Sequence, residues 1–374
     1  MQIIASKLKD ILITLRPIIP KRSTLPVLKY ALLKNGKAIA TNLECMAVIN
    51  CPEAKEPMLV PVKEVLDWVK FISKETVLEI IQRDKSIAIT EVQKQGSLTG
   101  DCGLASASFE SDKPEDFPPI VEMSEGSLTQ QTDGDWLTET LSEAVVYTEK
   151  GGFRLVLQSV CITLENNKTR IAGFDSFRLY VRECATTYKG DKIDLLLPQD
   201  VVLILKSLWA KSIIPEGQPN IILMAIDTTH NRIGFQFGNV QLYSQLTQGT
   251  YPNYQVAEAY TQSYLIKIKF FTPDMETAVK RVAALAKQGS GIVRLEWENN
   301  QMKVSAKYNE QVSASTIRIQ GNPKKGRIGI NYQYLADYCK GRNGIIEMSF
   351  RSSTEAIRLD DKKSLVFIMP MSVQ

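Results

Sequence analysis

The side chains best able to do chemistry are few in this 374-residue chain, and they are scattered. Its six cysteines, Cys45, Cys51, Cys102, Cys161, Cys184 and Cys339, contain no C-x-x-C pair. That disfavours zinc ribbons, dithiol redox and iron-sulfur ligation, and small buried side chains are expected instead. The single histidine, His230, lies in the polar run Asp227-Thr228-Thr229-His230-Asn231-Arg232 between two apolar runs, where an exposed hairpin turn is expected. Without a second histidine, Ser-His-Asp or Cys-His catalysis could pass only through this residue, and a His-rich metal site is impossible. Neither G-x-x-x-x-G-K-[ST] nor G-x-G-x-x-G occurs, and the carboxylate pairs Glu115-Asp116 and Asp360-Asp361 read as solvated loop residues. No catalytic constellation, metal site or cofactor site is expected, so the chain reads as a non-enzyme.

Charge is the remaining chemical signal. Residues 1–125 carry 16 Lys and Arg against 17 Asp and Glu, residues 126–260 carry 11 against 14, and residues 261–374 carry 18 against 10. A basic excess confined to the last third suits a polyanion such as nucleic acid. Hydrophobic residues make up 44% and charged residues 23%, the usage of globular chains with real cores. At about 100 to 200 residues per domain the length predicts two to four domains. No apolar run approaches the roughly 18 residues needed to cross a bilayer. Lys7, Lys9 and Asp10 occupy the place where a signal peptide would need its apolar stretch, so an intracellular, cytoplasmic, soluble protein with no membrane partner is expected.

The elements that position these groups repeat. Helical stripes occur at Leu8, Ile11, Leu12 and Leu15, and at Val62, Val65, Leu66 and Val69 after Pro61. They recur at Leu137, Leu141, Ala144 and Val145, and at Val201, Leu205 and Leu208 after Pro198 and Asp200. The last pair comprises Met275, Val279, Val282 and Ala286 after the cap-like Thr272-Pro273-Asp274, and Leu335, Tyr338 and Cys339 in a helix beginning near Asn331. After each first helix comes an Asn turn, at Asn35-Gly36, Asn166-Asn167 and Asn299-Asn300, with spacings of 131 and 133. After each second helix comes another turn, near Asp84, His230 and Asp361. The pattern predicts an α+β fold of three similar domains, 1–125, 126–260 and 261–374, each with two helices packed on antiparallel sheets.

On this repeat sits a series of phrases: Arg22-Ser23-Thr24-Leu25-Pro26-Val27-Leu28, Ala40-Thr41-Asn42-Leu43-Glu44, Asp116-Phe117-Pro118, Phe174-Asp175-Ser176-Phe177-Arg178-Leu179, Tyr251-Pro252-Asn253-Tyr254 and Phe367-Ile368-Met369-Pro370-Met371. In this order and spacing the chain resembles the bacterial replicative sliding clamp, the beta subunit of DNA polymerase III, over essentially its whole length. The resemblance implies a closed, head-to-tail dimeric ring of clamp-type domains around duplex DNA. It also implies a processivity factor whose partners are the DNA polymerase III catalytic subunit, the clamp loader and other clamp-binding peptides. An alternative keeps the fold without the encirclement, as a divergent scaffold that binds partner peptides only.

A sliding channel needs cations that hold phosphates without reading bases. By helical position these are Lys7, Lys9, Lys70, Lys206, Lys280, Arg281 and Lys340, and the resemblance adds Arg22. Glu139 and Glu143 break the pattern on the third helix. The resemblance further implies a partner-peptide pocket made of Leu157, Phe174, Phe177, Arg178, Leu179, Pro252, Val256, Ala257, Ile368, Met369, Pro370 and Met371. Where the family commonly has Thr-Asp-Gly-His-Arg-Leu, this chain has Phe174 to Leu179, so a more apolar and narrower groove is expected. For ring closure the resemblance points to the edge strand Leu104 to Phe109 meeting Ala284, Leu285 and the strand Ile292 to Trp297 of a second copy.

Overall fold

A computed structural model describes residues 1–92, 105–124, 127–212, 217, 219–255, 264–321 and 324–372. The chain forms two compact units, one of residues 1–139 with 200–247, the other of residues 140–199 with 248–374. Among the described residues there are six α-helices of eight residues or more. They are α1 (Ala5–Leu15), α2 (Val62–Val69), α3 (Gly134–Val145), α4 (Gln199–Trp209), α5 (Thr272–Gln288) and α6 (Tyr332–Cys339). Each buries the stripe that its sequence announces, Leu8, Ile11, Leu12 and Leu15 on α1 and Val62, Val65, Leu66 and Val69 on α2 among them. On α3 the stripe is narrower than its apolar pattern, with Val145 only half-buried.

The helix starts differ from the expected caps. Pro61 and Pro198 end strands rather than opening the helices that follow. Thr272 does not cap α5: Phe271 holds the cap position without a side-chain bond, and the Thr272 hydroxyl instead lies 3.0 Å from the Gly344 carbonyl and receives the Gly344 N–H at 3.1 Å. Only Asn331 behaves as the sequence suggests, its side chain accepting the Gln333 N–H at 2.9 Å at the start of α6.

In the first unit, one sheet has the order β1 (Gln2–Ile4), β6 (Val77–Gln82), β7 (Ser86–Glu91), β8 (Ser106–Glu110). The other runs β5 (Met58–Pro61), β2 (Tyr30–Lys34), β3 (Lys37–Thr41), β4 (Cys45–Asn50), β16 (Val240–Gln245), β15 (Arg232–Phe237), β14 (Ile221–Asp227), β9 (Leu128–Asp133). The second unit holds one twelve-stranded sheet. Its order is β13 (Ile193–Pro198), β10 (Ser159–Glu165), β11 (Lys168–Phe174), β12 (Arg178–Ala185), β24 (Leu365–Ile368), β23 (Ile357–Asp360), β22 (Ile345–Phe350), β17 (Ile266–Phe271), β20 (Gln311–Gly321), β19 (Gln301–Tyr308), β18 (Ile292–Glu298), β21 (Gly326–Asn331). Every pairing is antiparallel, so alternate residues face opposite sides and the register is fixed by which side is covered.

The three Asn turns set three of these registers. Asn35 and Gly36 have φ of 50 and 74°, Asn166 and Asn167 of 39 and 63°, and Asn299 and Asn300 of 51 and 62°. Two successive left-handed residues match the right-handed twist of the flanking strands, and asparagine tolerates that region better than other side chains. Segments between repeats then cover sheet faces. Phe117 belongs to the core with Leu32, Ile39, Val48 and Leu59, while Tyr251 and Tyr254 belong to the core with Cys161, Ala172, Val181 and Leu196.

Cys45, Cys51, Cys161 and Cys339 are buried and Cys184 is half-buried, whereas Cys102 lies outside the described residues. Burial pushes the thiols of Cys45, Cys161 and Cys339 up to about 12, which leaves them as apolar filler. Among the described residues no helix is long and apolar enough to cross a membrane.

Helix and sheet approach closely at Gly173 on β11, where a Cβ would clash with the Ala144 carbonyl oxygen of α3. Gly173→Ala is expected to destabilise the protein by about 1–3 kcal/mol, the range for overpacking against an unyielding neighbour. A lowered urea midpoint checks this, and an unchanged midpoint would contradict the contact.

Candidate DNA-facing and peptide-binding surfaces

The expected cations fall into two groups by unit. In the first unit Lys7 and Lys9 lie on α1, Lys70 follows α2, Lys206 is exposed on α4, and Arg22 is exposed in the loop after α1. Lys7 pairs with Glu53 at 2.5 Å and Lys70 with Asp67 at 2.5 Å, both at the surface, where such pairs exchange readily. In the second unit α5 and α6 pack together and carry Lys280, Arg281 and Lys340, all exposed. Lys280 meets Glu276 at 2.6 Å, one helical turn before it, and Arg281 donates from Nη1 to the Ser315 hydroxyl of β20 at 3.2 Å. Glu143, expected on an outward side of α3, is instead held by Arg342 at 3.1 Å.

A cation that the sequence reading missed is Lys211, just past α4. Its Nζ donates to the Ile13 carbonyl at 3.1 Å, and with Lys7 it lines a cavity of about 540 Å³ beside α1. Burial, with the nearby Arg16 charge, holds its amine below the usual lysine range. Its place directly after the last helical turn was the available signal.

The expected peptide pocket resolves into an interior part and an exposed part, both in the second unit. Leu157, Leu179 and Ile368 are core residues. Arg178 is only 6% exposed, and each nitrogen of its guanidinium donates a hydrogen bond. Nε donates to Asp175 Oδ2 at 2.9 Å, Nη1 to Asp337 Oδ2 at 2.8 Å and Nη2 to the Val146 carbonyl at 3.0 Å. The rings of Tyr334 and Tyr147 lie 4.2 and 5.2 Å from Cζ. Burial alone would lower its pKa, but Asp175 and Asp337 outweigh it and raise it. Arg178 therefore braces the β11–β12 turn, where Ser176 has φ of 76° and Asp175 Oδ1 accepts the N–H groups of Phe177 and Arg178.

That brace presents the exposed part. Phe177 is 59% exposed, and its carbonyl accepts the Met369 N–H at 2.8 Å, joining the turn to the segment after β24. Met369 and Pro252 are exposed, and Phe174, Pro370 and Met371 are half-buried; Val256 and Ala257 lie outside the described residues. The antiparallel register puts the start of β10 at the same end as this turn. The loop leading into it carries two residues that the reading did not single out, Phe153, wholly exposed, and Leu155, 67% exposed. An aromatic after Gly151-Gly152, in no helical or strand pattern, was the sign.

Comparison with known proteins places the chain in a family. The family model for the central domain of the DNA polymerase III beta subunit matches residues 131–253, and that for its C-terminal domain matches residues 262–372. The beta sliding clamp of Staphylococcus epidermidis is 22% identical over 266 residues, 69% of this chain and 67% of the relative. The chain belongs to the bacterial DNA polymerase III beta-subunit family, the sliding clamps. Among solved structures, the beta subunit from Thermotoga maritima superposes with a TM-score of 0.82 at 21% identity, covering 100% of this chain and 99% of that one. A sliding clamp from Pseudomonas aeruginosa gives 0.85 at 18% over the same shares, and these likenesses speak for the fold. Clamps of this family are non-catalytic scaffolds, and this protein is not an enzyme.

In this clamp-family chain, His230 is a turn residue, with Nδ1 3.0 Å from both Asp227 Oδ2 and the Ser124 hydroxyl. Ser124 donates to the same carboxylate oxygen at 2.6 Å. The Ser124 hydroxyl first, and then the amides and ring at His230, hold the Asp227 carboxyl well below the usual range against the opposing effect of burial. Asp361 is likewise depressed: burial pushes it up, but the amides of Ser364 and Lys363 and the Arg342 guanidinium outweigh that.

The expected partner strand for ring closure needs correcting. Ile292 to Trp297 lies in β18, both of whose edges are taken, by β19 and by β21, so its backbone cannot pair with another chain. Leu104 is outside the described residues, Phe109 sits in the edge strand β8, and Ala284 and Leu285 are exposed and half-buried on α5.

Two predictions follow from these geometries. Arg178→Ala leaves Asp175 and Asp337 facing a vacated interior and should cost about 3–5 kcal/mol, read as a lower denaturation midpoint; Arg178→Lys should recover only part, lacking the fork. A carboxyl with a depressed folded-state pKa adds stability that is complete above its unfolded value and lost as pH falls through the folded one. Acid melting should therefore deepen below about pH 4, the unfolded carboxylate value. Asp227→Asn should flatten that dependence, as followed by thermal denaturation from pH 5 to pH 2.

Proposed function

We propose that two copies of this chain close head to tail into a ring around duplex DNA, and that the ring holds a polymerase and other partners at the template. What supports this reading is a repeated edge pairing. In the first unit β4 pairs with β16, and in the second β12 pairs with β24. Each pair joins the strand that ends an Asn-turn hairpin set, β4 or β12, to the closing strand of the following repeat, β16 or β24. The third members of the two series are β20 and β8. Among the described residues β8 is the edge of its sheet, and β20 pairs with β17 only through Ile319–Gly321, leaving its edge open over 311–317. Pairing β20 of each copy with β8 of the other uses both edges and closes at two copies. On this reading the chain consists of three clamp domains, 1–125, 126–260 and 261–374, and Phe109, Ala284 and Leu285 border the closing contact.

A ring needs no catalytic group. It holds DNA by topology, and its partners gain effective concentration at the template. Among the proposed phosphate contacts, Arg22, Lys9, Lys206 and Lys340 have no ion partner among the described residues, while Lys7, Lys70 and Lys280 would trade a surface carboxylate for a phosphate. Lys211 joins this set. Partner peptides from the polymerase catalytic subunit and the clamp loader would dock on the exposed Phe153, Leu155, Phe177 and Met369 and the half-buried Phe174 and Pro370, with Arg178 as their support. Methionine and aromatic side chains accept varied peptides.

Val312→Asp with Thr316→Asp on β20 should turn the dimer into a monomer in sedimentation equilibrium and abolish loading. The unaltered protein, once loaded, should stay on circular DNA and leave it on linearisation. Equal loss from both forms, with partner peptides still bound, would instead favour a scaffold that does not encircle DNA, an alternative that the carboxylates beside Lys7, Lys70 and Lys280 keep in view.

A further inference from the structure

The three Asn-turn hairpins align residue for residue, which exposes a difference in what covers them. Counted from the turns, Ile39, Arg170 and Lys303 are equivalent, as are Thr41, Ala172 and Ser305. In the first repeat the cross-strand row Leu59, Leu32, Ile39, Val48 is apolar and lies under Phe117. In the second, the row Leu196, Cys161, Ala172, Val181 lies with Tyr251 and Tyr254. The second repeat's row at the Ile39 position, Asp194, Thr163, Arg170, Glu183, is polar, with Arg170 paired to Glu183 at 2.9 Å. The third repeat differs from both in that the corresponding lysine has no such partner among the described residues. The matching rows are Arg327, Glu296, Lys303, Thr316 and Gly329, Arg294, Ser305, Ala314.

α5 packs against β18, β19 and β20, while Arg294, Glu296, Lys303 and Lys307 line the cavities on the sheet. Two cavities, of about 590 and 620 Å³, share Glu296 and Lys303, and Ser372 borders the first. The charge is not balanced. Lys325 meets Glu298 at 3.1 Å, but the exposed Lys303, Lys307 and Arg327 have no ion partner among the described residues, with Glu296 the remaining carboxylate. Ser305 and Ala314 lie between Lys303 and Lys307 along the strands, with Arg294 opposite Ser305 on β18, so the row that meets tyrosines in the second repeat holds a further cation here.

We propose that this face of β18–β21 docks an extended acidic segment of a partner protein, its carboxylates meeting Lys303, Lys307 and Arg327. The chain supplies the pattern itself, since the segment that brings Phe117 onto the first hairpin carries Asp112, Glu115 and Asp116. Along an extended strand, Lys303 and Lys307 stand about 13 Å apart on one face, a span that carboxylates four residues apart in a second extended chain reproduce. Glu296, opposite both Lys303 and Arg327, disfavours a phosphate backbone, which offers negative charge without interruption. The inference is independent of ring closure, because edge pairing by β20 leaves its face open.

The test is fluorescence anisotropy on the full chain with a labelled twelve-residue peptide that has Asp or Glu at alternate positions. The expected result is saturable binding, weakened at least tenfold in Lys303→Glu/Lys307→Glu and strengthened in Glu296→Lys, with the Asn/Gln version of the peptide not bound. The opposite effect of Glu296→Lys separates docking from damage to the fold. No binding, equal binding by the double variant, or displacement by a twelve-nucleotide single strand as effective as by unlabelled peptide would each overturn the proposal.

Discussion

Strand edges are the constraint on which this architecture depends. A sheet edge carries unpaired N–H and C=O groups that must find partners or risk aggregation, and this chain meets the need by joining consecutive repeats through their edges. β4 takes β16, and β12 takes β24, each by an antiparallel ladder of at least four residue pairs. That arrangement shares core across the repeats, and the two compact units accordingly cut through the repeat boundaries. A chain with three such repeats leaves one edge of each kind over, and that remainder is the physical basis for the proposed self-association.

A second constraint is the cost of burying charge. The second unit holds the buried Arg178 and the half-buried Arg342, and each guanidinium is met on several sides. Arg342 donates to Glu143, Asp361 and the Tyr338 carbonyl and stacks on the Tyr338 ring 4.6 Å away. Arg178 does the same with Asp175, Asp337 and the Val146 carbonyl. Such groups add little net stability, but only one arrangement of turn and helix satisfies them. For Arg178 the consequence is local: the turn it braces holds Phe177 out in solvent beside Met369, so a buried polar network positions an exposed apolar surface.

The repeats also show how one scaffold acquires different faces. Of the equivalent positions, Ile39 is apolar under Phe117 whereas Arg170 and Lys303 are charged, because covered strand residues must be apolar and solvent-facing ones must stay soluble. Lys303 and Ile39 have the same register and opposite chemistry for this reason.

The stripes on all six helices, the three Asn turns and the hairpin around His230 were legible in the sequence because they are local. A period of 3.6 or 2, or a pair of residues tolerant of positive φ, is written in neighbouring residues. The burial of Arg178, the capture of Glu143 by Arg342 and the inner position of β18 were not legible. Each depends on which distant segment arrives as neighbour, and an alternating strand looks the same at an edge or inside a sheet. The sequence alone thus determined the repeated helix-and-hairpin units and the residues that face their cores. The tertiary structure decided which edges are left open and which charged side chains are used up inside, because long-range pairing alone settles what water can still reach.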